Sequence, residues 1–156
     1  MSEFILTGKA FQHLIASILG ADSGYRVRVR GRGFSMIPFI KDNNALTLKP
    51  IDPHRGIKFG DIVAVSNKEK NRAVIHRVIR SRNGRYQTKG DGNFRPDPWC
   101  TIEDVIGTVD HIEKSGWIPY TCTRWQNIVI AIASRTGVLT RLIYPGFTHM
   151  RNLVKW

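Results

Sequence analysis

The chain has 156 residues, the length of one ordinary domain with a single hydrophobic core. Its 24 lysines and arginines against 12 aspartates and glutamates leave a net charge of +12, which attracts polyanions such as anionic lipid or nucleic acid. Cys100 and Cys122 form no C-x-x-C pair, which argues against zinc and against a disulfide scaffold, although one bridge between them stays open.

The apolar stretches are too short for a membrane-spanning helix. The longest uncharged runs are the 12 residues from Ala10 to Ala21 and the ten residues from Trp125 to Ser134. A membrane span needs about 20 predominantly apolar residues. The sequence also shows no cleavable signal sequence with a long apolar core.

Residues 1–24 predict an N-terminal amphipathic helix that ends near Gly20. Its apolar side chains recur at the spacing of one helical face: Phe11, Leu14, Ile15, Ile18 and Leu19. Two roles stay open for this helix. It either packs on the domain or lies on a bilayer surface.

Residues 25–115 predict a mainly β domain. From Tyr25 to Arg32, valines alternate with arginines, as in a half-buried strand, and its edge is a template for an extended peptide. Asn83-Gly84 indicates a tight hairpin turn. Further strands are predicted at Ala45–Leu48, Ile62–Val65, Val74–Ile79, Tyr86–Lys89 and Val105–Ile112.

Residues 116–156 predict a helical C-terminal extension with a break at Gly137. From Glu113 to Trp156 there are six basic residues and one acidic residue. An apolar and basic helix suits the surface of an anionic membrane. Packing of this helix on the β domain is the competing interpretation.

Three short segments carry the candidate chemistry. Ser35 lies in Gly33-Phe34-Ser35-Met36-Ile37-Pro38, His76 lies between Ala73 and Ile79, and Asp91 lies in the run Thr88 to Asn93, with Asp97 following. A serine hydroxyl becomes a nucleophile when a neighbouring base takes its proton, and histidine suits that role near neutral pH. A carboxylate on the other ring nitrogen fixes the tautomer.

In their order and spacing, these segments resemble the S24/S26 serine peptidases, which include signal peptidases and LexA-type self-cleaving repressors. The resemblance covers roughly residues 26 to 112. It is closest to the signal peptidases of the endoplasmic reticulum and archaea, whose general base is a histidine. Bacterial signal peptidases and LexA-type proteins place a lysine at that point.

The resemblance implies a signal peptidase/LexA-like β-domain and a serine endopeptidase that needs no cofactor or metal. Such an enzyme cleaves a precursor or leader peptide after small residues through an acyl-enzyme. The implied roles are Ser35 as nucleophile, His76 as general base, Asp91 as the favoured partner of His76 and Asp97 as a supporting acid. The residues expected to bind substrate are Gly33, Met36, Ile37 and Pro38.

Gly33 departs from the family pattern. Many signal peptidases have serine at this position, and its hydroxyl helps to hold the negative charge that develops on the substrate. Loss of one such donor costs about 2.7 to 4 kcal/mol of transition-state stabilisation. We therefore expect either a second backbone donor or low activity.

Two other functions stay open. A LexA-like self-cleaving regulator would share the fold, but the chain lacks the lysine base and shows no separate DNA-binding domain ahead of Ser35. A catalytically weak relative that binds polyanions or membranes would explain the charge of +12. The expected partners are a precursor peptide and an anionic membrane surface, with no specific nucleic acid. Peripheral membrane association is the expected location, with the cytoplasm as alternative.

Overall fold

The computed structural model describes residues 15, 17–19, 25–67, 72–113 and 123–142. Within these residues, seven strands form one antiparallel sheet that curls into half a barrel, in the order β1-β2-β7-β3-β4-β5-β6. The elements are β1 Val27–Arg30, β2 Ala45–Lys49, β3 Ile62–Asn67, β4 Arg72–Arg82, β5 Arg85–Lys89, β6 Trp99–Thr101, β7 Val105–Ile112 and the helix α1 Arg124–Thr136. The expectation of a mainly β domain is confirmed.

The predicted strands are all present, and one further strand was missed. β4 is longer than expected, whereas β7 has the predicted bounds. β6 was missed because it has only three residues and follows the run Pro96-Asp97-Pro98, and proline argues against a strand. It pairs with β5 and leads into a short 3-10 helix, Ile102–Asp104.

The predicted hairpin joins β4 to β5 and determines where the candidate site residues lie. Asn83 and Gly84 both have positive φ, 50° and 71°, as a two-residue turn of this kind requires. The turn places Arg82 opposite Arg85 and Arg77 opposite Lys89. His76 on β4 is thereby brought close to the end of β5.

The core lies between the sheet, the segment after Ser35 and α1. Its main cluster consists of Met36, Phe39, Ile40, Leu46, Ile62, Ile112 and Ile130. Ile130 is the residue of α1 in this cluster, so this helix packs on the domain. The helix begins after the N-cap Thr123 and ends at Gly137, whose φ is 76°, so the expected break is confirmed. Residues 138–142 are again helical.

The N-terminal segment also packs on the domain where the structure describes it. Residues 15 and 17–19 are helical, and Ile15 and Leu19 pack with Leu48 and Ala64 of the sheet. The remaining residues of 1–24 lie outside the described residues, as do 116–122 and 143–156 of the C-terminal extension. No described helix is long and apolar enough to cross a membrane.

Candidate active site

Ser35 lies in a turn that follows β1. Two hydrogen bonds hold the beginning of this turn. The Gly33 N–H donates to Asp42 Oδ1 at 2.7 Å, and the Gly92 N–H donates to the Ser35 carbonyl at 2.8 Å. Gly33 has a φ of 97°, which glycine adopts without strain. The Ser35 side chain is partly exposed, so a substrate can reach its hydroxyl.

His76 connects Ser35 to a carboxylate. Its Nε2 lies 3.0 Å from Ser35 Oγ, and its Nδ1 lies 2.6 Å from Asp97 Oδ2. Both distances are within hydrogen-bonding range, and the histidine itself is buried. The order serine, histidine, aspartate has the geometry of an activated nucleophile whose base is oriented by a third group.

Strand β5 holds Asp97 in place. Thr88 Oγ1 donates to Asp97 Oδ2 at 2.7 Å, and the Asp97 N–H donates to the Thr88 carbonyl at 2.8 Å. Gln87 Nε2 adds a bond to the Asp97 carbonyl at 3.2 Å. Thr88 was not predicted to belong to the site, although it begins the run Thr88 to Asn93, because a threonine in a strand carries no specific signal.

Asp91, the favoured partner of His76, is instead paired with Arg77. The two side chains are fully buried and joined at 2.8 and 2.9 Å, and Arg77 Nη1 also donates to Asn127 Oδ1 of α1. The expectation for Asp91 was wrong for a simple reason. Neighbouring side chains of a strand point to opposite faces, so the face that carries Arg77 is not the face that carries His76.

Gly90 is where the loop after β5 comes closest to Ser35. A Cβ atom at Gly90 would lie 2.5 Å from the Ser35 carbonyl oxygen and 2.9 Å from Ser35 Cβ. Atoms do not approach that closely, so any larger residue would displace the loop or the serine. The close contact explains why glycine precedes Asp91 here.

The residues predicted to bind substrate separate into two groups. Gly33 is exposed beside Ser35, where an incoming peptide can reach it. Met36, Ile37 and Pro38 are buried, and Met36 belongs to the main core cluster. These three residues support the turn from the interior, so the expectation that they contact substrate is corrected.

Two cavities among the described residues are lined by residues other than Ser35, His76 and Asp97. One lies at the β4–β5 turn, lined by Arg82, Asn83, Arg85 and Trp99. An extended peptide binds along a strand edge and needs no enclosed cavity. The described residues hold no group of three or more histidine, cysteine or acidic side chains that could bind a metal. Cys100 is a free thiol, and Cys122 lies outside the described residues.

Comparison with models of known protein families and with curated proteins finds no match for this chain. The geometry of Ser35, His76 and Asp97 therefore carries the functional argument.

Proposed function

We propose that the protein is a serine endopeptidase with a signal peptidase/LexA-like β-domain, which cleaves a precursor or leader peptide. The observation that carries the proposal is the chain of contacts from Ser35 Oγ through His76 to Asp97. Its three members are separated by 41 and 21 residues in the sequence, and the fold brings them together. The resemblance in sequence order supports the same conclusion.

In the proposed reaction, Ser35 Oγ attacks the carbonyl carbon of the scissile bond while His76 Nε2 takes the hydroxyl proton. Asp97 stabilises the imidazolium from the other side of the ring. The tetrahedral intermediate collapses as His76 gives the proton to the leaving amine, which leaves an ester on Ser35. Water, deprotonated by His76, then hydrolyses the ester and restores the serine.

The backbone amide of Ser35 is the proposed oxyanion donor. Among the described residues, no acceptor takes its N–H, whereas the Gly33 N–H is bonded to Asp42. Since Gly33 supplies no hydroxyl, the site has one donor fewer than signal peptidases with serine there. We therefore expect a slower chemical step than in those enzymes.

Strand β1 is the proposed docking site for substrate. It forms one end of the sheet and continues through Gly31 and Gly33 to Ser35. A peptide that pairs with this edge would extend toward the nucleophile. The resemblance adds the expectation of small residues beside the cleaved bond, and we propose that the reaction takes place at an anionic membrane surface.

Cleavage of a peptide library by the purified protein tests this function. We expect cuts after small residues, and we expect Ser35→Ala and His76→Ala each to abolish them because nucleophile and base are lost. The matched controls are Ser81→Ala and His111→Ala, which change exposed residues of β4 and β7. Both controls should cleave normally.

Three outcomes would contradict the proposal. Cleavage that survives Ser35→Ala would exclude the serine mechanism. Shortening of the chain itself, at a rate independent of its concentration, would favour the LexA-like regulator. Salt-sensitive binding of anionic vesicles or nucleic acid that survives Ser35→Ala, without cleavage under any condition, would favour the binding protein.

A further inference from the structure

The loop of residues 90–93 contacts the backbone of Ser35, the proposed nucleophile. Its Gly92 N–H donates to the Ser35 carbonyl, and Gly90 lies against Ser35 with no room for a side chain. The Asn93 N–H donates to the Gly90 carbonyl at 2.9 Å, which closes the loop into a turn. A displacement of this loop therefore displaces Ser35 relative to His76.

The helical segment of residues 123–142 also contacts this loop. Thr140 Oγ1 donates to the Asn93 carbonyl at 2.9 Å and accepts from Lys89 Nζ at 3.2 Å. Lys89 Nζ also donates to the Ser134 carbonyl at 2.6 Å. Thr140 is thus bonded to the residues on both sides of Gly90 and Gly92.

These contacts are buried, which makes them costly to lose. Lys89, Ser134 and Thr140 are each at most 3% exposed. Burial lowers the pKa of the Lys89 ammonium, and its hydrogen-bond partners within the described residues are neutral oxygens. The Ser134 carbonyl belongs to the last turn of α1, where the helix dipole favours a positive charge. Separation of helix and loop would leave these groups without partners.

We propose that Thr140 is a positioning residue of the active site and that the helical segment 123–142 acts as a clamp on the loop behind Ser35. The inference rests on the proposed function and adds a requirement to it. The peptidase is fully active only while this segment is docked. Thr140 touches neither substrate nor the reacting atoms and acts through Asn93 and Gly92.

The test is Thr140→Val, which keeps the shape of the side chain and removes the hydroxyl. We expect kcat to fall about ten- to hundredfold with KM within twofold, because small displacements of a catalytic group cost up to about 10²-fold. Thr140→Ser restores the hydroxyl and should restore kcat. Thr136→Val, on the same segment but exposed, is the matched control and should leave kcat unchanged.

Amide hydrogen exchange at Gly92 and Asn93 gives a second measurement that does not depend on activity. Thr140→Val should accelerate exchange at both amides because the loop loses its support. If this variant does not fold, Thr140→Ala replaces it, since alanine is the best helix former. All kinetic measurements are made well below the unfolding temperature of each variant.

The outcomes separate the two proposals. Normal kcat in folded Thr140→Val, or unchanged exchange at Gly92 and Asn93, overturns the clamp and leaves the peptidase intact. Loss of kcat that Thr140→Ser does not restore overturns it as well. Absence of Ser35-dependent cleavage by the unsubstituted protein overturns the proposed peptidase function and with it the positioning role of Thr140.

Discussion

The two aspartates that follow β5 have different roles because of where their partners point. His76 and Arg77 are neighbours on one strand, so they face opposite sides of the sheet. Asp97 lies with His76 on the side of Ser35, whereas Asp91 lies with Arg77 on the side that meets α1. The resemblance therefore led to the wrong aspartate: it implied Asp91 as the partner of His76, whereas the structure has Asp97 in that position.

Asp91→Asn should destabilise the fold strongly. Both members of its pair have side chains that are fully buried, and removal of one charge leaves the Arg77 guanidinium uncompensated. Loss of one partner of a buried pair costs about 3 to 5 kcal/mol of unfolding free energy. Urea unfolding measures this change.

The matched control is Glu113→Gln, which removes the charge of an exposed partner of Arg28. Exposed ion pairs contribute little to stability, so this variant should unfold almost like the unsubstituted protein. If Asp91→Asn were as stable as Glu113→Gln, the buried pair would not have the structural role given to it here.

Helix α1 has two faces with different chemistry. One face, with Ile130, Ala131 and Ser134, is buried on the domain. The other carries Trp125, Val129 and Ile132, which are 73%, 47% and 52% exposed. The two interpretations of this helix were packing on the domain and binding to a membrane surface. They are compatible, because each would use a different face of the helix. The segment 123–142 contains three arginines and no acidic residue.

The exposed face predicts binding to anionic vesicles. Trp125→Ser should weaken binding about ten- to hundredfold, because the loss of an apolar side chain that is buried in the bilayer costs on the order of 1.5 to 3 kcal/mol. Binding should also weaken with salt, as for any surface that relies on basic residues. Cosedimentation with phosphatidylglycerol vesicles, compared with phosphatidylcholine vesicles, measures it.

Trp99→Ser is the matched control, since Trp99 is an exposed tryptophan on β6. It should bind vesicles like the unsubstituted protein. Equal losses for the two tryptophan variants, or equal binding to both lipids, would argue against a membrane-facing role for α1.

Over the whole molecule, some of the basic residues behind the net charge of +12 are paired with acidic side chains. The arginine strand β1 is partly neutralised, because Glu113 pairs with Arg28, and Asp110 pairs with Arg26 just before the strand. Arg28 lowers the pKa of Glu113, so this carboxylate stays charged at neutral pH. A solvated and paired arginine face fits β1 better than a polyanion site.

Most of the strands, the β4–β5 hairpin and the pair Ser35–His76 could be predicted from the sequence. Strand alternation and the Asn83-Gly84 turn are local signals, and Ser35 and His76 were predicted from the order of the segments that resemble the S24/S26 serine peptidases. Asp97 was predicted only as a supporting acid, because the sequence does not show which of the two aspartates contacts His76. Asp97 is positioned by Thr88 on β5, and that contact depends on the register of the chain after the hairpin.

The most direct measurement is kcat/KM of Asp97→Asn on the best peptide from the library, beside its unfolding free energy. Asparagine favours the wrong tautomer of His76, so we expect kcat/KM to fall by roughly 10³- to 10⁴-fold with little change in stability. That result would confirm Ser35, His76 and Asp97 as one catalytic unit. If Asp97→Asn retained activity within a few fold of the unsubstituted protein, the account of the site would be contradicted.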